Sequence, residues 1–315
     1  MHRTTISLAV LALVAGLATP SLGADTYRLM TGPQGGVWVP IGGALKGMWE
    51  KAIPGLTIQT SPGAGIANVR GVDEGKAEIG FGNSISTVDG LNGAEPFPKK
   101  VTNVCQLATL YPQYFQIVVL ASAKIDSIAD LKGKILAVQT RGNTAEAISQ
   151  HVLQVYGLNY QAMGKVNFMA SYNDAVALLQ DGHAHAFTLG TTIPASSVMD
   201  LGSVRDIKML PMPDDKIAAM KKINAGYTKG TIKAGTYPKQ TEDVPVIVYA
   251  AHLVASCKLP DAHVETMLRT LTANLADVVA INKAVQGLTP KMMAEDIGVP
   301  FHPGATKFYK QVGAM

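Results

Sequence analysis

Residues 134–149, Lys-Ile-Leu-Ala-Val-Gln-Thr-Arg-Gly-Asn-Thr-Ala-Glu-Ala-Ile-Ser, have the pattern of a strand, a turn and a helix. The apolar run from Ile135 to Val138 has the length of a buried strand, and apolar residues recur at helical spacing from Ile148. Asn143 or Thr144 can cap that helix, because a short side-chain oxygen accepts from free N–H groups of the first turn. We therefore predict a βα unit of an α/β sheet.

The turn inside this stretch predicts an anion site. Free N–H groups and the positive end of the helix dipole point at one spot. Arg141 stands beside that spot, and its planar guanidinium matches a carboxylate or phosphate. The alternative is a plain βα turn with a surface arginine. The recurrence of such turns along the chain favours the ligand site, and we expect Arg141→Ala to weaken binding by at least about 100-fold.

The N-terminus predicts export. Residues 1–23 combine Arg3, an apolar run from Leu8 to Ala18 and small residues before Ala24, which is typical of a cleaved secretory signal. We expect cleavage near Gly23 or Ala24, and no later segment is apolar enough for a membrane span. The mature chain is then soluble and, in a Gram-negative cell, periplasmic.

Composition narrows the function classes. Apolar residues make up 47% of the chain and charged residues 16%, a composition that predicts a sizeable core and argues against disorder. A net charge of +4 without long basic runs argues against nucleic acid as a partner. Export permits a disulfide between Cys105 and Cys257, but two free thiols buried in apolar strands are the favoured alternative.

Four more glycine- or hydroxyl-rich turns, at 32–40, 61–68, 82–86 and 188–194, also lie between a strand and a helix. Such turns share one edge of a parallel sheet and line its ligand crevice, where helix N-termini favour a small organic anion. Asp and Glu are absent from the turns, which favours a carboxylate without a free amine. The candidate ligand-binding residues are Gly36, Val37, Trp38, Asn83, Ser84, Tyr111, Arg141, Asn143, Thr144, Gly190 and Thr191.

Other chemistries are poorly supported. Gly63-Ala-Gly65 lacks the third glycine of a dinucleotide fingerprint, and residues 82–86 do not form a nucleophile elbow. His183 and His185 alternate on one predicted strand, but only Asp181 is near enough in sequence to complete a metal site. We therefore predict no enzyme activity, no cofactor and no metal.

Two crossings predict a bilobal molecule. Strands over 104–110 and 116–121 flank a Tyr-Pro hinge, and the long apolar strand 244–255 makes the return crossing. The predicted fold is α/β, and this order of elements resembles periplasmic binding proteins of type II, which implies two lobes around a ligand cleft joined by hinge strands. One lobe comprises residues 24–115 plus 250–315, and the other residues 116–249. Residues 213–243 give no clear pattern, and we expect a monomer.

The residues resemble one family of such receptors. The motifs that carry the resemblance span the mature chain: Gly35-Gly-Val-Trp-Val-Pro-Ile-Gly-Gly43, Gly65-Ile-Ala-Asn68, Leu110-Tyr-Pro112, Ile128-Ala-Asp-Leu-Lys-Gly-Lys134, Gly142-Asn-Thr144 and Asp181-Gly182. In this order they are similar to the TAXI family, the solute receptors of tripartite ATP-independent periplasmic (TRAP) transporters. The resemblance implies capture of a small organic anion, such as glutamate, a dicarboxylate or a keto acid, and its delivery to the TRAP membrane subunits.

Three positions depart from the family pattern. Trp38 and Val39 replace usual tyrosines, Ala64-Gly-Ile-Ala replaces a Gly-Ser-x-x-Asn pattern, and His185 replaces an acidic residue. The first two departures touch the predicted pocket, so the identity of the ligand cannot be inferred from the ligands of the family. Two other classes stay open: a receptor that presents its ligand to a membrane signalling protein, and an enzyme on the same scaffold.

Overall fold

The computed structural model describes residues 25–315, so the predicted signal segment 1–23 lies outside the described residues. These residues form one mixed sheet flanked by helices, which confirms the α/β prediction. The strands are β1 (Thr26–Met30), β2 (Thr57–Ser61), β3 (Ile79–Asn83), β4 (Cys105–Leu120), β5 (Ile135–Gln139), β6 (Lys165–Met169), β7 (Ala186–Thr191), β8 (Ile207–Met209), β9 (Thr228–Ile232) and β10 (Val244–Ala255).

Most strands are followed by an α-helix, as the sequence pattern predicts. None of the α-helices, within residues 25–315, is long and apolar enough to cross a membrane. They are α1 (Trp38–Ala52), α2 (Gly65–Asp73), α3 (Ser84–Asn92), α4 (Thr144–Val155), α5 (Tyr172–Gln180), α6 (Ser196–Val204), α7 (Asp214–Ile223), α8 (Asp261–Ala273), α9 (Leu275–Ile281), α10 (Pro290–Met293) and α11 (Pro303–Gln311). The segment 213–243, unclear from sequence, holds α7 and β9.

The sheet has the order β2-β1-β3-β10-β4-β7-β5-β6, with β8 on β4 and β9 on β10. At one end β2, β1 and β3 pair in parallel, and at the other end β7, β5 and β6 do the same. Between them β10 and β4 run antiparallel to each other and to their outer neighbours. Two parallel βα halves are therefore joined through two long antiparallel strands.

Each half has its own apolar core, and we call the halves the first and second lobes. The first lobe buries Trp49, Phe81 and Phe308 between β1–β3 and helices such as α1, α8 and α11. The second lobe buries one cluster between the sheet and α4 and α7, and another against α5 and α6. Strands β4 and β10 contribute side chains to the cores of both lobes. The lobe boundaries drawn from the sequence stay a prediction.

Strand β4 corrects the prediction of two strands with a Tyr-Pro hinge between them. It runs unbroken for 16 residues through Tyr111 and Pro112. Pro112 pairs with Ala250 of β10, whereas pairing with β7 begins only at Tyr114. Because Pro112 lies where β4 has not yet met β7, its missing N–H interrupts no ladder bond on that side.

A disulfide joins Cys105 to Cys257, which corrects the expectation of two free thiols. Cys257 does not lie in an apolar strand but in the turn after β10, and the register places Ala255 opposite Cys105. The pairing brings together residues 152 positions apart. A cross-link that closes a loop of that size contributes roughly 5 kcal/mol by restricting the unfolded chain.

Candidate functional site: a cleft between the lobes

A small cavity lies between the two lobes. Its volume is about 20 Å³, room for about one water molecule, so the cleft is closed around it. Turns that follow strands of both lobes supply most of its walls, as expected for α/β sheets. The lining residues are Pro33, Gly36, Val37, Trp38, Gly65, Asn83, Gln113, Asn143, Ala145, Tyr172, Gly190, Thr191 and Tyr249.

Uncharged residues form this lining throughout, as far as the structure describes the chain. Three first-lobe helices, α1, α2 and α3, begin at a lining residue or directly after one and have neither a side-chain N-cap bond nor an acidic residue in the first turn among the described residues. The positive dipole ends of these helices therefore lie at the cavity wall without a capping or acidic side chain, although Ala67 N of α2 donates to Gly142 O and Pro40 of α1 has no N–H. By contrast, Asn143 Oδ1 caps α4 by accepting from Ala145 N at 2.8 Å, as predicted.

Two buried polar atoms of lining residues, Trp38 Nε1 and Asn83 Oδ1, and one behind the wall, Tyr111 Oη, have no hydrogen-bond partner within residues 25–315. The side chains are 6%, 3% and 3% exposed, so water does not satisfy these atoms from outside. Burial raises the pKa of the Tyr111 hydroxyl well above its ordinary value, and Trp38 and Gln113 beside it oppose that rise only in part. Tyr111 is therefore a neutral phenol at physiological pH.

Two more tyrosines build the second-lobe wall. The Tyr172 hydroxyl donates to Gly190 O at 3.0 Å, and the Tyr249 hydroxyl lies so close to Gly190 that a Cβ there would collide with it. Burial raises the pKa of both hydroxyls far above the ordinary tyrosine value. Gly190 is thus required for close approach rather than for backbone freedom.

Hydrogen bonds join the lobes across the cleft. These bonds occur in three places: at the cavity, between α3 and α4, and, farther away, between α3 and the segment after α7. Besides these bonds, Ile85 of α3 packs into the second-lobe core, so the lobes are in polar and apolar contact in the closed form. The bonds are Tyr172 N to Gln34 O (3.1 Å), Ala67 N to Gly142 O (3.0 Å), Ser86 Oγ with Thr144 Oγ1 (2.7 Å) and Asn224 Nδ2 to Asp89 Oδ1 (2.9 Å).

The candidate residues from the sequence separate into four groups. Ser84 lies outside the cavity, where its hydroxyl accepts from Ala250 N at 3.2 Å, and Tyr111 and Thr144 lie behind the wall. Arg141 is remote from the lining. The residues that line the cavity are Gly36, Val37, Trp38, Asn83, Asn143, Gly190 and Thr191.

The position of Arg141 corrects its predicted role as a carboxylate clamp in the cleft. Its side chain is 68% exposed and stacks on Phe168, with the guanidinium carbon 4.9 Å from the ring centroid. One guanidinium nitrogen lies 3.9 Å from Glu146 Oε1. The turn at Gly142, where φ is +87°, presents its carbonyl to the first lobe, and the arginine side chain lies in a neighbouring groove.

Sequence reasoning missed Gln113, Tyr172 and Tyr249 as lining residues. Gln113 and Tyr249 lie within long strands, and only the crossing of β4 and β10 between the lobes brings them to the cleft. Tyr172 opens α5, so the strand–turn–helix rule that selected the other turns could have found it. Gly65 was part of a motif but was not selected, although a Cβ there would collide with Thr144 and Asn83.

The histidine pair does not form a metal site. Both residues precede β7 rather than lying within it, and His185 Nδ1 accepts from Ile135 N at 2.9 Å. No group of three His, Cys, Asp or Glu that could hold a metal ion occurs in the described part of the chain. His185 therefore has a structural contact with β5.

The fold has two α/β lobes with a cavity between them. The chain belongs to the NMT1-like family, whose sequence profile matches residues 29–313.

Solved structures show the same fold. The PhnD1 protein of Prochlorococcus marinus (MIT 9301) in complex with methylphosphonate matches with a TM-score of 0.56 at 12% identity, over 93% of this chain and 100% of that one. A periplasmic transporter matches with a TM-score of 0.54 at 13% identity, over 93% and 94%. The alkanesulfonate-binding protein SsuA of Xanthomonas axonopodis pv. citri, bound to MOPS, matches at 0.50 and 15%, over 92% and 85%. At these identities the likeness extends to the fold.

Proposed function

We propose that this protein captures a small organic anion in the periplasm and delivers it to a membrane permease of the TRAP type. One observation carries the proposal: a closed cavity between two lobes, with the uncapped N-termini of α1, α2 and α3 at its wall. Free N–H groups and aligned peptide dipoles stabilise a negative charge there without a counter-ion. The two neighbours with named ligands hold methylphosphonate and MOPS, which is consistent with this class of ligand.

A carboxylate without a free amine suits this lining best. An ammonium group taken out of water needs an acidic partner, and the lining described above contains none. A carboxylate, in contrast, finds N–H and O–H donors. The ligand in this proposal is a small dicarboxylate, keto acid or hydroxy acid in preference to an acidic amino acid such as glutamate.

The permease partner is supported by the resemblance to TAXI receptors, whose motifs at 35–43 and 142–144 form the turns on the two sides of the cleft. The predicted signal at 1–23 supports export to the periplasm. Lobes at 24–115 plus 250–315 and at 116–249 would then rotate about β4 and β10 between an open form that takes the solute and the closed form described here.

Two measurements test the proposal. Mass spectrometry of the small molecules released when the purified protein is denatured should identify an organic anion in a stoichiometric amount. Titration of that compound into stripped protein should then reduce the radius of gyration in X-ray scattering, because the lobes close. An uncharged or cationic ligand, or a scattering profile unchanged at saturation, would contradict the proposal.

A further inference from the structure

One side chain of the first lobe lies in the apolar core of the second lobe. The buried cluster between the sheet, α4 and α7 consists of second-lobe residues and residues of the joining strands β4 and β10, with Ile85 as its one member from elsewhere in the described chain. Ile85 is the second residue of α3 and is 3% exposed. It does not line the cavity, so its contact with the second lobe is separate from the cavity wall.

Ile85 meets the segment between α7 and β9. A Cβ added at Gly226 would lie 2.7 Å from Ile85 Cγ2, so the glycine permits a close approach of the two lobes. The next residue, Tyr227, belongs to the same buried cluster, and its hydroxyl bonds with Nδ1 of His151 in α4 at 2.9 Å. The segment that receives Ile85 is therefore fixed to the second lobe.

Polar bonds from α3 to the second lobe accompany this apolar contact. Asp89 is four residues after Ile85 and shares its helix face. Asn224 Nδ2 donates to Asp89 Oδ1 at 2.9 Å and lies 3.4 Å from Ile85 O. Ser86 Oγ bonds with Thr144 Oγ1 of α4 at 2.7 Å. The first two turns of α3 therefore contact the second lobe through residues that do not line the cavity.

We infer that α3 is a latch between the lobes, with Ile85 as its apolar part, and that it stabilises the closed form before a ligand contributes. Separation of the lobes would expose Ile85 to water, and burial of a side chain of this size corresponds to a roughly 10- to 100-fold preference. The inference rests on the proposed function, in which the lobes open and close, and concerns the control of affinity at that site. Affinity then depends on a residue that does not touch the ligand, because a ligand of the closed form gains from the population of that form.

Amide hydrogen exchange measures the latch without a ligand. The Ala67 N–H donates to Gly142 O and the Tyr172 N–H to Gln34 O, both across the lobe boundary, so these amides exchange when the lobes separate. In protein stripped of ligand by unfolding and refolding, both amides should be protected, and Ile85→Ala should speed their exchange about tenfold. Unprotected amides in the wild type, or unchanged rates in Ile85→Ala, would overturn the inference.

A core variant separates lobe opening from a loss of folding stability. Ile58 is buried in the first-lobe core and is 1% exposed, so Ile58→Ala removes the same groups inside one lobe. It should lower the melting temperature and leave the exchange of the Ala67 and Tyr172 amides within about twofold of wild type. If Ile85→Ala instead speeds exchange equally at amides within β1 and β5, the residue stabilises the fold in general and the latch is wrong.

Gly226 supplies a second variant that tests the pairing directly. Gly226→Ala should also speed exchange about tenfold, because the new Cβ would collide with Ile85 on closure. In the Ile85→Ala background the same substitution should have little further effect, since the side chain with which it collides is gone. Additive effects of the two substitutions would contradict the latch. Gly47→Ala is the control, because a Cβ there has nothing within 4 Å.

These measurements do not depend on the identity of the ligand. A released ligand that is not an anion would contradict the proposed function and leave the exchange results unaffected. Conversely, an organic anion bound by a protein whose Ala67 and Tyr172 amides are insensitive to Ile85→Ala would contradict the latch alone.

Discussion

The cavity and the groove beside it contrast in charge and burial. The cavity is enclosed and uncharged, whereas the groove, which we call the rim groove, has about 380 Å³ and contains Arg70, Glu95, Arg141, Glu146 and His151. The turn at residues 140–143 separates them. Residues of both lobes line both regions. Arg141, which the sequence predicted to bind an anion, lies in the open rim groove and not in the enclosed cavity.

Two arginines of the rim groove have partners within it, although Arg70 Nε has no hydrogen-bond partner among the described residues. Arg70 stacks over Phe97 at 5.2 Å and donates to Pro96 O, and Arg141 lies over Phe168 near Glu146. Burial raises the pKa of Glu146, while Tyr160, Arg141 and Gln150 partly counteract the rise. In the cavity lining, Trp38 Nε1 and Asn83 Oδ1 have no protein partner among the described residues, and both belong to uncharged side chains. Exposed ion pairs contribute little, whereas buried unpaired groups are costly, so the uncharged region is the better candidate for ligand selection.

The largest effect is expected from Gly65→Ala on the cavity side. The added Cβ would collide with Thr144 Oγ1 and Asn83 Nδ2 across the closed cleft, so closure requires displacement of the wall. Overpacking of this kind typically costs 1–3 kcal/mol, and we expect binding to weaken by about 10- to 100-fold. Calorimetry measures the loss. Gly43→Ala is the matched control, because a Cβ there has nothing within 4 Å, and wild-type affinity in both variants would contradict the closed geometry.

A smaller effect is expected from Asn224→Ala, at a contact between the lobes outside both regions. Asn224 Nδ2 donates to Asp89 Oδ1 at 2.9 Å, and burial raises the pKa of that carboxyl. Removing the amide takes away a bond of the closed form only, so we expect about 3- to 10-fold weaker binding. Scattering should show a larger radius of gyration at subsaturating ligand. Asn92→Ala, an exposed residue at the end of α3, should leave both quantities unchanged.

Arg141→Ala should change affinity by less than about threefold, because its guanidinium is exposed and lies outside the cavity. This replaces the 100-fold loss expected from the sequence alone. The measurement is a titration of the same ligand into Arg141→Ala and Trp38→Phe in parallel. A loss in Arg141→Ala that equals or exceeds the loss in Trp38→Phe would reverse the comparison between the two regions.

The smallest effect is expected from pH. Burial raises the pKa of Tyr111, Tyr172 and Tyr249 and lowers that of the nearby core residue His252 to about 3, so these groups stay neutral near physiological pH. Affinity for an ionised ligand should vary by less than about twofold between about pH 6 and 9. A clear titration in that range would indicate a charged group in the site.

The raised pKa values of the same three tyrosines also determine how the free energy of unfolding changes at alkaline pH. Their folded pKa values exceed the unfolded value of about 10, so the folded state holds protons that the unfolded state loses first. Their contribution to stability is complete below about pH 10 and is lost as pH rises above it. Chemical denaturation should therefore show a falling free energy of unfolding above about pH 10. A flat profile there would show that these hydroxyls are open to water.

The sequence by itself determined the βα units and the turns between them. The stretch 134–149 folds as predicted into β5, a turn and α4 with Asn143 as its cap, because strand length, helical spacing and capping are local properties. The turns at Gly36, Asn83 and Gly190 lie at the cavity for a similarly general reason. Turns that follow parallel strands meet at one edge of the sheet.

Only the tertiary structure decided which side chains face the cleft and which residues pair over long distances. The Cys105–Cys257 disulfide and the approach of Gln113 and Tyr249 to the cavity depend on the register of β4 with β10, which residues more than 100 positions apart establish. The direction of the Arg141 side chain depends on two neighbours outside the cavity: its guanidinium stacks on the Phe168 ring and lies near the Glu146 carboxylate. A side chain on a turn takes the direction that its neighbours in space stabilise, and those neighbours are set by the packing of the whole chain.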